Sequence, residues 1–273
     1  MNVEIEQIEI DLLIEAMYKK YGYDFRNYSR ASIERRLKYA LSVSGEKNYA
    51  AMQHRLLWDK EFFESLLLQL TVNVTEMFRD PLFYKALREK VIPILRTYPF
   101  IKIWHAGCST GEEVYSMAIL LHEENLLKNT MIYATDIDTQ VLKKAREGIY
   151  PLERIREFTL NYQRAGGQNS FSDYYTAKFE AAIIDNSLKK NILFSQHNLV
   201  TDSTFGEMNL VICRNVLIYF NRELQNRVID LFHESLVRKG ILCLGSKESL
   251  KYLNSRDSFT EIDGKEKIFS RKN

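Results

Sequence analysis

Up to about residue 70, apolar residues recur at the three- and four-residue spacing that is typical of amphipathic helices. A first helix has the apolar face Ile5, Ile8, Leu12 and Leu13. After a break at residues 21–24, a second helix is predicted to begin at Ser29 or Ser32, either of which can cap it. Its apolar stripe comprises Ile33, Leu37, Ala40 and Leu41. A third helix, dense in Phe and Leu, is predicted over residues 58–69, so this region should form a small helical bundle.

From Ile101 onward the pattern changes, and short apolar runs alternate with helical stretches. The predicted strands are residues 101–104, 131–136, 192–197, 210–213 and 241–244. The predicted helices, each closed by a glycine, are residues 139–147 (Gly148) and 224–237 (Gly240). Strands separated by helices favour an α/β fold with a mainly parallel, doubly wound sheet. A final hairpin turning at Asp263-Gly264 should add an antiparallel edge.

The connection between residues 150 and 190 is longer than an ordinary loop and interrupts this alternation. It carries Gly166-Gly167, an aromatic segment at 171–175 and an apolar run at 181–184. We therefore expect an inserted subdomain of short strands.

The most distinctive stretch follows the first predicted strand. Gly107 and Gly111 break the apolar run, and Glu112 and Glu113 come directly afterwards. The next apolar residues have helical spacing and are Val114, Met117, Ala118 and Leu121. Strand, glycine turn and helix in this order bring backbone close to a ligand at the carboxyl end of a strand, so the stretch predicts a binding site.

Two classes of cofactor use such a turn. A dinucleotide requires G-x-G-x-x-G, which lets its pyrophosphate rest on a helix N-terminus. Here the spacing is G-x-x-x-G, and carboxylates in the first helical turn would repel a pyrophosphate. S-adenosylmethionine has no phosphate and carries a sulfonium cation, so Glu112 and Glu113 are compatible with it. Asp136, at the end of the second strand, is placed to accept hydrogen bonds from ribose hydroxyls, a role that both classes share.

Further polar and basic residues have two interpretations each. Asn73, Thr75 and Arg79 lie where the helical region ends, either as site residues in a cleft or as capping residues. Basic residues off the apolar stripe of the second helix form either a solvated face or a surface for an acidic partner. They are Arg35, Arg36 and Lys38, with Arg26 and Arg30 just before the helix.

Composition narrows the class of protein without identifying it. The 273 residues are 45% hydrophobic and 27% charged, with a net charge of +2, so any basic surface must be local. Three cysteines without CxxC spacing, Cys108, Cys213 and Cys243, fit a reducing cytoplasm. The histidines show no metal-ligand spacing, and we expect no metal and a structural role for His105 and His197. No apolar run has the length of a membrane span, and we expect no signal peptide.

Four motifs in this chain resemble those of the CheR-type chemotaxis methyltransferases. They are residues 70–79 (LTVNVTEMFR), 107–113 (GCSTGEE), 133–138 (YATDID) and 213–220 (CRNVLIYF). The resemblance covers residues 10 to 270 approximately, in the right order. It implies a helical amino-terminal domain, residues 1–72, and a Rossmann-like catalytic domain, residues 73–273. It also implies an inserted β-subdomain at about 151–190, and a cytoplasmic monomer.

The resemblance further implies an activity and a set of functional residues. The family uses S-adenosylmethionine, which becomes S-adenosylhomocysteine, to esterify glutamates on the acidic cytoplasmic helices of bacterial chemoreceptors. The implied cofactor contacts are Asn73, Thr75, Arg79, Glu113, Asp136, Asn198, Leu199, Arg214 and Asn215. Arg79 and Tyr219 are candidates for orienting the acceptor carboxylate, although Tyr219 can equally be a packing residue. In this context Arg30, Arg35, Arg36 and Lys38 become candidates for docking the receptor.

Some questions stay open at this point. Many relatives carry G-H-S-E after the fifth strand where this chain has Gly245-Ser-Lys-Glu-Ser249, so we assign that loop no catalytic role. In some relatives the inserted subdomain binds a peptide tether of the receptor, and residues 166–184 do not decide this. The alternatives are a methyltransferase with a small-molecule or RNA acceptor, or a non-catalytic scaffold that binds S-adenosylmethionine. An RNA acceptor would predict a basic stripe interleaved with aromatic residues, which the sequence lacks.

Overall fold

The chain divides into two units in the computed structural model, which describes residues 3–71 and 75–272. The first unit comprises Met1–Val72 together with Ile218–Val228, and the second comprises Asn73–Leu217 with Ile229–Asn273. The sequence-based boundary also lies after residue 72, but it assigned residues 218–228 to the catalytic domain. Each unit has its own apolar core.

Four complete helices belong to the first unit, and polar residues mark the ends of several of them. They are α1 (Val3–Tyr21), α2 (Arg30–Ser44), α3 (Tyr49–Trp58) and α4 (Lys60–Leu70). Helix α2 begins directly after Ser29, whose side chain makes no capping hydrogen bond, and ends at Gly45 in the left-handed conformation. The Asp59 carboxylate accepts a hydrogen bond from the backbone N–H of Phe62 (2.9 Å) and so starts a new helix. The predicted single helix over 58–69 is therefore α4, and α3 is a separate helix that the apolar pattern did not reveal.

Helix α1 buries a different face from the one that the sequence predicted. Its buried side chains include Ile10, Leu13, Ile14 and Met17, which follow the spacing i, i+3, i+4, i+7. Of the predicted face only Leu13 is buried, whereas Ile5, Ile8 and Leu12 are 51%, 53% and 50% exposed. The prediction was wrong because α1 has two apolar stripes on opposite sides, and the longer stripe packs into the bundle.

The second unit contains a seven-stranded sheet in the order β6-β2-β1-β7-β8-β10-β9. Its strands are β1 (Ile101–Ala106), β2 (Thr130–Asp136), β6 (Ile192–Gln196), β7 (Met208–Cys213), β8 (Leu236–Leu244), β9 (Phe259–Asp263) and β10 (Ile268–Arg271). The first five pair in parallel, and β10 and β9 add an antiparallel edge after β8. The predicted α/β class, parallel sheet and final hairpin are confirmed. The strand order reverses between β1 and β7, which is where ligands bind in open parallel sheets.

Helices cover this sheet and connect its strands. They are α5 (Pro81–Ala86), a π-helical turn (Leu87–Val91), α6 (Ile92–Leu95), α7 (Glu112–Glu123), α8 (Thr139–Glu147), α10 (Asn186–Lys189) and α11 (Arg222–Ser235), of which the part from Ile229 onward belongs to the second unit. Gly148 ends α8 in the left-handed conformation, as predicted. Gly240 does not close α11, because the helix stops at Ser235 and Gly240 lies inside β8. No helix among residues 3–71 and 75–272 combines the length and apolar character needed to cross a membrane.

The predicted insertion is a three-stranded antiparallel sheet with one helix. Its strands are β3 (Ile149–Pro151), β5 (Ala181–Ile184) and β4 (Tyr175–Lys178), paired in that order, and its helix is α9 (Ile155–Arg164). The sequence predicted the short strands but not the helix.

The insertion is tied to the last turn of α7 by a buried carboxylate. Glu123 accepts hydrogen bonds from the hydroxyls of Tyr162 and Tyr174 and from the backbone N–H of Gln168, all within the insertion. Its other oxygen pairs with Arg88. Burial alone would raise the pKa of Glu123, but the hydrogen bonds from Tyr162 and Arg88 outweigh it and lower that pKa.

We expect Glu123→Gln to lower the free energy of unfolding by about 2 to 4 kcal/mol, because an amide cannot satisfy this set of donors and leaves Arg88 less well paired. The pKa of a glutamate in the unfolded chain is about 4.3 and the folded value is lower, so the carboxylate stabilises the fold above that range. The difference between the two proteins should therefore shrink as the pH falls below about 4.

Urea unfolding between neutral and acid pH measures this difference. Glu153→Gln is the matched control, because Glu153 is an exposed glutamate of the same insertion. Equal stability of the Glu123 variant and the control at neutral pH would show that Glu123 does not anchor the insertion.

Candidate functional site

The predicted glycine turn lies between β1 and α7, at the carboxyl edge of the parallel strands. Gly107 and Gly111 have φ angles of +83° and +91°, which side chains rarely tolerate. A Cβ on Gly107 would lie 2.5 Å from Val216 Cγ2, and one on Gly111 would lie 3.3 Å from the backbone Cα of Ala145. Glycine is thus needed at both positions, because a side chain would strain the backbone and would lie too close to these neighbours.

Glu113 lies in the first turn of α7 and contacts two buried side chains, those of His105 and Arg214. Its Oε1 is 3.2 Å from His105 Nδ1, and its Oε2 is 3.1 Å from Arg214 Nη1. Burial would raise the pKa of Glu113, but the hydrogen bond from His105 and the charge of Arg214 outweigh this and lower it. Glu113 is therefore favoured in its ionised form, which can accept a hydrogen bond from a cationic ligand.

Arg214 is the central cation of this cluster and is only 7% exposed. Besides Glu113 it pairs with Asp80, with Nη2 and Oδ2 2.7 Å apart. Its guanidinium lies 4.0 Å above the ring of Phe83, in cation–π geometry. Two carboxylates and one aromatic face thus compensate the cost of burying the charge.

Asp136 lies at the end of β2 and is joined to the glycine turn. Its Oδ2 accepts a hydrogen bond from the backbone N–H of Ser109 (2.8 Å), and its Oδ1 accepts one from that of Asp138 (3.1 Å). Burial raises the pKa of Asp136 to about 6 in spite of these donors. Burial and the charges of Asp136 and Glu113 also raise the pKa of the Cys108 thiol.

Asn198 and Leu199 follow β6, beside the end of β2. The backbone N–H of His197 donates to the Asp136 carbonyl (3.1 Å), so Asn198 comes directly after a residue paired with Asp136. The Asn198 amide oxygen accepts from the Val200 N–H (3.0 Å), and Leu199 is buried. The structure therefore places Glu113, Asp136, Arg214 and these two residues along one edge of the sheet.

Asn215 occupies a turn that a buried glutamate holds in place. Its φ is +62°, and its backbone N–H donates to Glu248 Oε2 (3.2 Å). The same carboxylate accepts from the N–H groups of Val216 (2.9 Å) and Gly245. Glu248 is 4% exposed, whereas Ser246 and Lys247 are exposed, so the departure from G-H-S-E lies on the solvent side.

Glu248 was not predicted as a site residue from the sequence, and His105 was expected to have only a structural role. Glu248 is an acid that follows a buried strand and lies three residues after a glycine, and this is the one signal by which the sequence indicates it. No sequence pattern indicated a site role for His105, because its contact with Glu113 depends on the path of the backbone through the glycine turn. Among the described residues, no group of three or more His, Cys, Asp or Glu side chains is arranged to hold a metal ion.

Not all of the predicted site residues belong to this cluster. Asn73 lies outside the described residues. Thr75 accepts a hydrogen bond from Arg154 through its carbonyl oxygen (2.7 Å). Arg79 stands between Phe78 and Asp80, which both have φ near +55° (53° and 56°). Tyr219 belongs to the first unit, where its ring packs against the guanidinium of Arg36 at 4.4 Å.

The four predicted docking residues differ in their surroundings. Arg35 and Lys38 are exposed on α2. Arg30 pairs with Asp11 and Glu34. Arg36 does not fit the predicted docking surface, because it is only 8% exposed and donates a hydrogen bond to the backbone carbonyl of Leu70. The Arg36 guanidinium therefore makes its contacts inside the helical unit.

The comparisons with known proteins agree with this arrangement. Residues 8–71 match the all-alpha domain of the CheR methyltransferases, and residues 73–268 match the SAM binding domain of the same enzymes. The chain belongs to the CheR methyltransferase family. It is therefore an S-adenosylmethionine-dependent methyltransferase with the α/β fold of that class, and the predicted family and cofactor are confirmed.

Relatives of known name match along almost the whole chain. The chain is 54% identical to the putative methyltransferase Cher3 of Pseudomonas putida KT2440, over 97% of each protein. It is 32% identical to the chemotaxis protein methyltransferase of Borreliella burgdorferi, over 92% of this chain and 91% of the other. Among solved structures, the N-methyltransferase NodS of Bradyrhizobium japonicum WM9, in complex with S-adenosyl-L-homocysteine, is 13% identical, with a TM-score of 0.42 over 72% of this chain and 89% of the other.

The turn at Asn215 generates a prediction about stability. We expect Glu248→Ala to lower the free energy of unfolding by about 2 to 4 kcal/mol, because three backbone N–H groups lose their buried acceptor. Lys247→Ala, at the adjacent exposed position, should leave it within about 0.5 kcal/mol of wild type. Urea unfolding measures both variants, and equal losses for the two would exclude a holding role for Glu248.

Proposed function

We propose that this protein transfers the methyl group of S-adenosylmethionine to glutamate carboxylates of bacterial chemoreceptors, forming methyl esters for chemotactic adaptation. The observation that carries the proposal is the pair of carboxylates at the glycine turn of a CheR family fold. Glu113 lies in the first helical turn after the glycines, and Asp136 accepts a hydrogen bond from the Ser109 N–H inside the turn. Relatives named chemotaxis protein methyltransferase support the link to chemotaxis. Cytoplasmic location and a monomeric state are part of the same proposal.

The residues at the sheet edge fit the parts of the cofactor. In the proposed arrangement Glu113 accepts a hydrogen bond from the amino group of the methionine moiety, and Asp136 accepts from the ribose hydroxyls. Asn198 and Leu199 would contact the adenine, and Arg214 with Asn215 would lie next to the sulfonium. Asn73, Thr75 and Arg79 are proposed to complete the site from the segment before α5. This cluster contains several carboxylates and one arginine, Arg214, so its excess of negative charge favours a cationic ligand.

When bound, S-adenosylmethionine supplies a methyl group on a positively charged sulfur. The acceptor glutamate is already ionised near neutral pH, so the protein does not need a strong general base. Its residues must instead hold the acceptor oxygen in line and exclude water. We propose that Arg79 positions the acceptor by charge-assisted hydrogen bonds, and that the hydroxyl of Tyr219 orients it. Strong pairing with Arg79 would stabilise the ground state, so its role is positioning rather than activation.

The exposed basic side chains of α2 are proposed to dock the acidic receptor helices. Arg35 and Lys38 carry this role, because Arg36 is buried and Arg30 is already paired with two carboxylates. Long-range attraction of this kind mainly increases the rate of association.

The function is tested by supplying purified protein with methyl-labelled S-adenosylmethionine and cytoplasmic receptor fragments, with and without their carboxyl-terminal tails. The expected result is base-labile label on the receptor, lost when its acceptor glutamates are replaced by alanine. Label on another acceptor would support a different methyltransferase, and cofactor binding without transfer would support a non-catalytic scaffold. A requirement for the tail would show that a tether is used.

The affinity for S-adenosylhomocysteine should depend on pH through Asp136. Its pKa of about 6 in the free protein lies above the usual aspartate value of about 3.9, so Asp136 in the free protein is mostly protonated below pH 6. Ribose hydroxyls donate to the ionised form and lower that pKa in the complex. The affinity should thus be constant above about pH 6 and fall by up to about tenfold per unit below it.

Isothermal titration between pH 5 and pH 8 measures this dependence. Asp136→Asn should bind more weakly at neutral pH and lose the dependence, since it has no titrating group at that position. A wild-type affinity that stays constant down to pH 5 would contradict the proposed contact between Asp136 and the ribose.

Charge reversal on α2 tests the docking surface. We expect Arg35→Glu with Lys38→Glu to raise the KM for receptor about tenfold or more at low ionic strength, with kcat nearly unchanged. The effect should decrease at high salt because exposed charges are screened. Lys19→Glu with Lys20→Glu is the matched control, since it reverses two exposed charges of the same unit on α1. Equal effects of the two double variants would mean that net charge, rather than this surface, governs docking.

A further inference from the structure

The outer face of α1 carries an apolar stripe that the function above does not use. Ile5, Ile8 and Leu12 are each about half exposed (51%, 53% and 50%) and are three and four residues apart. At about 100° per residue they fall within an arc of about 60°, roughly opposite the buried stripe described for α1. Single exposed apolar side chains are ordinary, but three in one line on two turns of helix form a contact surface.

The spacing of this outer stripe is that of the a and d positions of a coiled coil. With Ile5 and Leu12 at a and Ile8 at d, the flanking g positions are Glu4 and Asp11, and the flanking e position is Glu9. All three flanking residues are acidic. In coiled coils the e and g charges select the partner, so these acids specify the chemistry of whatever covers the stripe.

The charges near the outer stripe leave it acidic. Residues 3–15 of α1 include Glu4, Glu6, Glu9, Asp11 and Glu15 and no lysine or arginine, and Asp11 is paired with Arg30 from α2. The lysines of α1 lie at its other end, where Lys19 pairs with Glu15 (3.4 Å). An apolar stripe on an acidic stretch of helix favours a cationic partner.

We propose that the outer stripe of α1 docks a helix of another protein that has apolar a and d positions flanked by lysine or arginine. A second copy of this chain would oppose acids to acids at the e and g positions, which is destabilising. An acidic receptor helix would be repelled in the same way. The proposal is independent of the acceptor assigned above. Three side chains over two turns give a small interface, which suits reversible binding.

The probe is a labelled synthetic helix of about three heptads, with leucine at a and d and lysine at e and g, and a twin with glutamate at e and g. Fluorescence anisotropy with the full chain measures its affinity at low salt and at about 0.3 M NaCl. We expect the lysine peptide to bind, and the glutamate peptide to bind at least about tenfold more weakly.

Variants of exposed residues locate the binding surface. Ile8→Asn with Leu12→Gln should weaken the lysine peptide at least about tenfold while leaving S-adenosylhomocysteine binding and helix content unchanged. Leu68→Gln, at a 41% exposed leucine of α4, is the matched control and should bind like wild type. Equal binding by the stripe variant, equal loss in the control, or equal affinity for the two peptides would each overturn the proposal. A wild-type dimer in sedimentation that the stripe variant abolishes would also overturn it, because a second copy would then cover the stripe.

Discussion

The ion pair between Glu113 and Arg214 is the interaction on which the rest of the site depends. Burying the Arg214 guanidinium carries a desolvation cost of several kcal/mol, so it is stable only with Glu113, Asp80 and the ring of Phe83 around it. Removing either carboxylate would leave the buried charge of Arg214 less fully compensated. The pair also links two chain segments, because Glu113 lies in the first turn of α7 and Arg214 directly follows β7. The first helical turn after the glycines is thereby held against the adjacent strand.

This constraint explains why the cluster suits a sulfonium cofactor better than a phosphate. A helix N-terminus normally attracts anions, and here Glu112 and Glu113 occupy that position. Arg214 is already paired with two carboxylates, so it offers little unbalanced positive charge to a pyrophosphate. Asp136 adds a further carboxylate at the end of β2. The electrostatic field of the site therefore favours a cation, in agreement with the match of residues 73–268 to the SAM binding domain of the CheR methyltransferases.

The sequence revealed most of what depends on short-range pattern. The strand, glycine turn and helix from Ile101 onward, the parallel sheet and the final hairpin follow from periodicity and from glycine chemistry. The features that the sequence predicted wrongly or did not reveal depend on tertiary contacts. Two apolar stripes on α1 compete, and only packing decides that the stripe with Ile10 is buried. Arg36 has the sequence context of a surface arginine, but the carbonyl of Leu70 and the ring of Tyr219 draw it inside. Glu248 follows a buried strand and a glycine, but its role becomes clear only from the backbone N–H groups of the Asn215 turn that donate to it.

The inserted subdomain makes hydrogen bonds with both the first and the last turn of α7. These contacts help to maintain the conformation of the glycine turn. At the first turn of the helix, Arg154 pairs with Glu112 (3.2 Å), and the Tyr150 hydroxyl donates to the Thr110 carbonyl (2.8 Å). At the last turn, the tyrosines of the insertion bond Glu123. The same Arg154 donates to the Thr75 carbonyl and so fixes the segment that leads to Arg79. Since left-handed residues such as Ser109 and Asp80 are strained unless their surroundings hold them, the insertion is part of the framework that maintains the site.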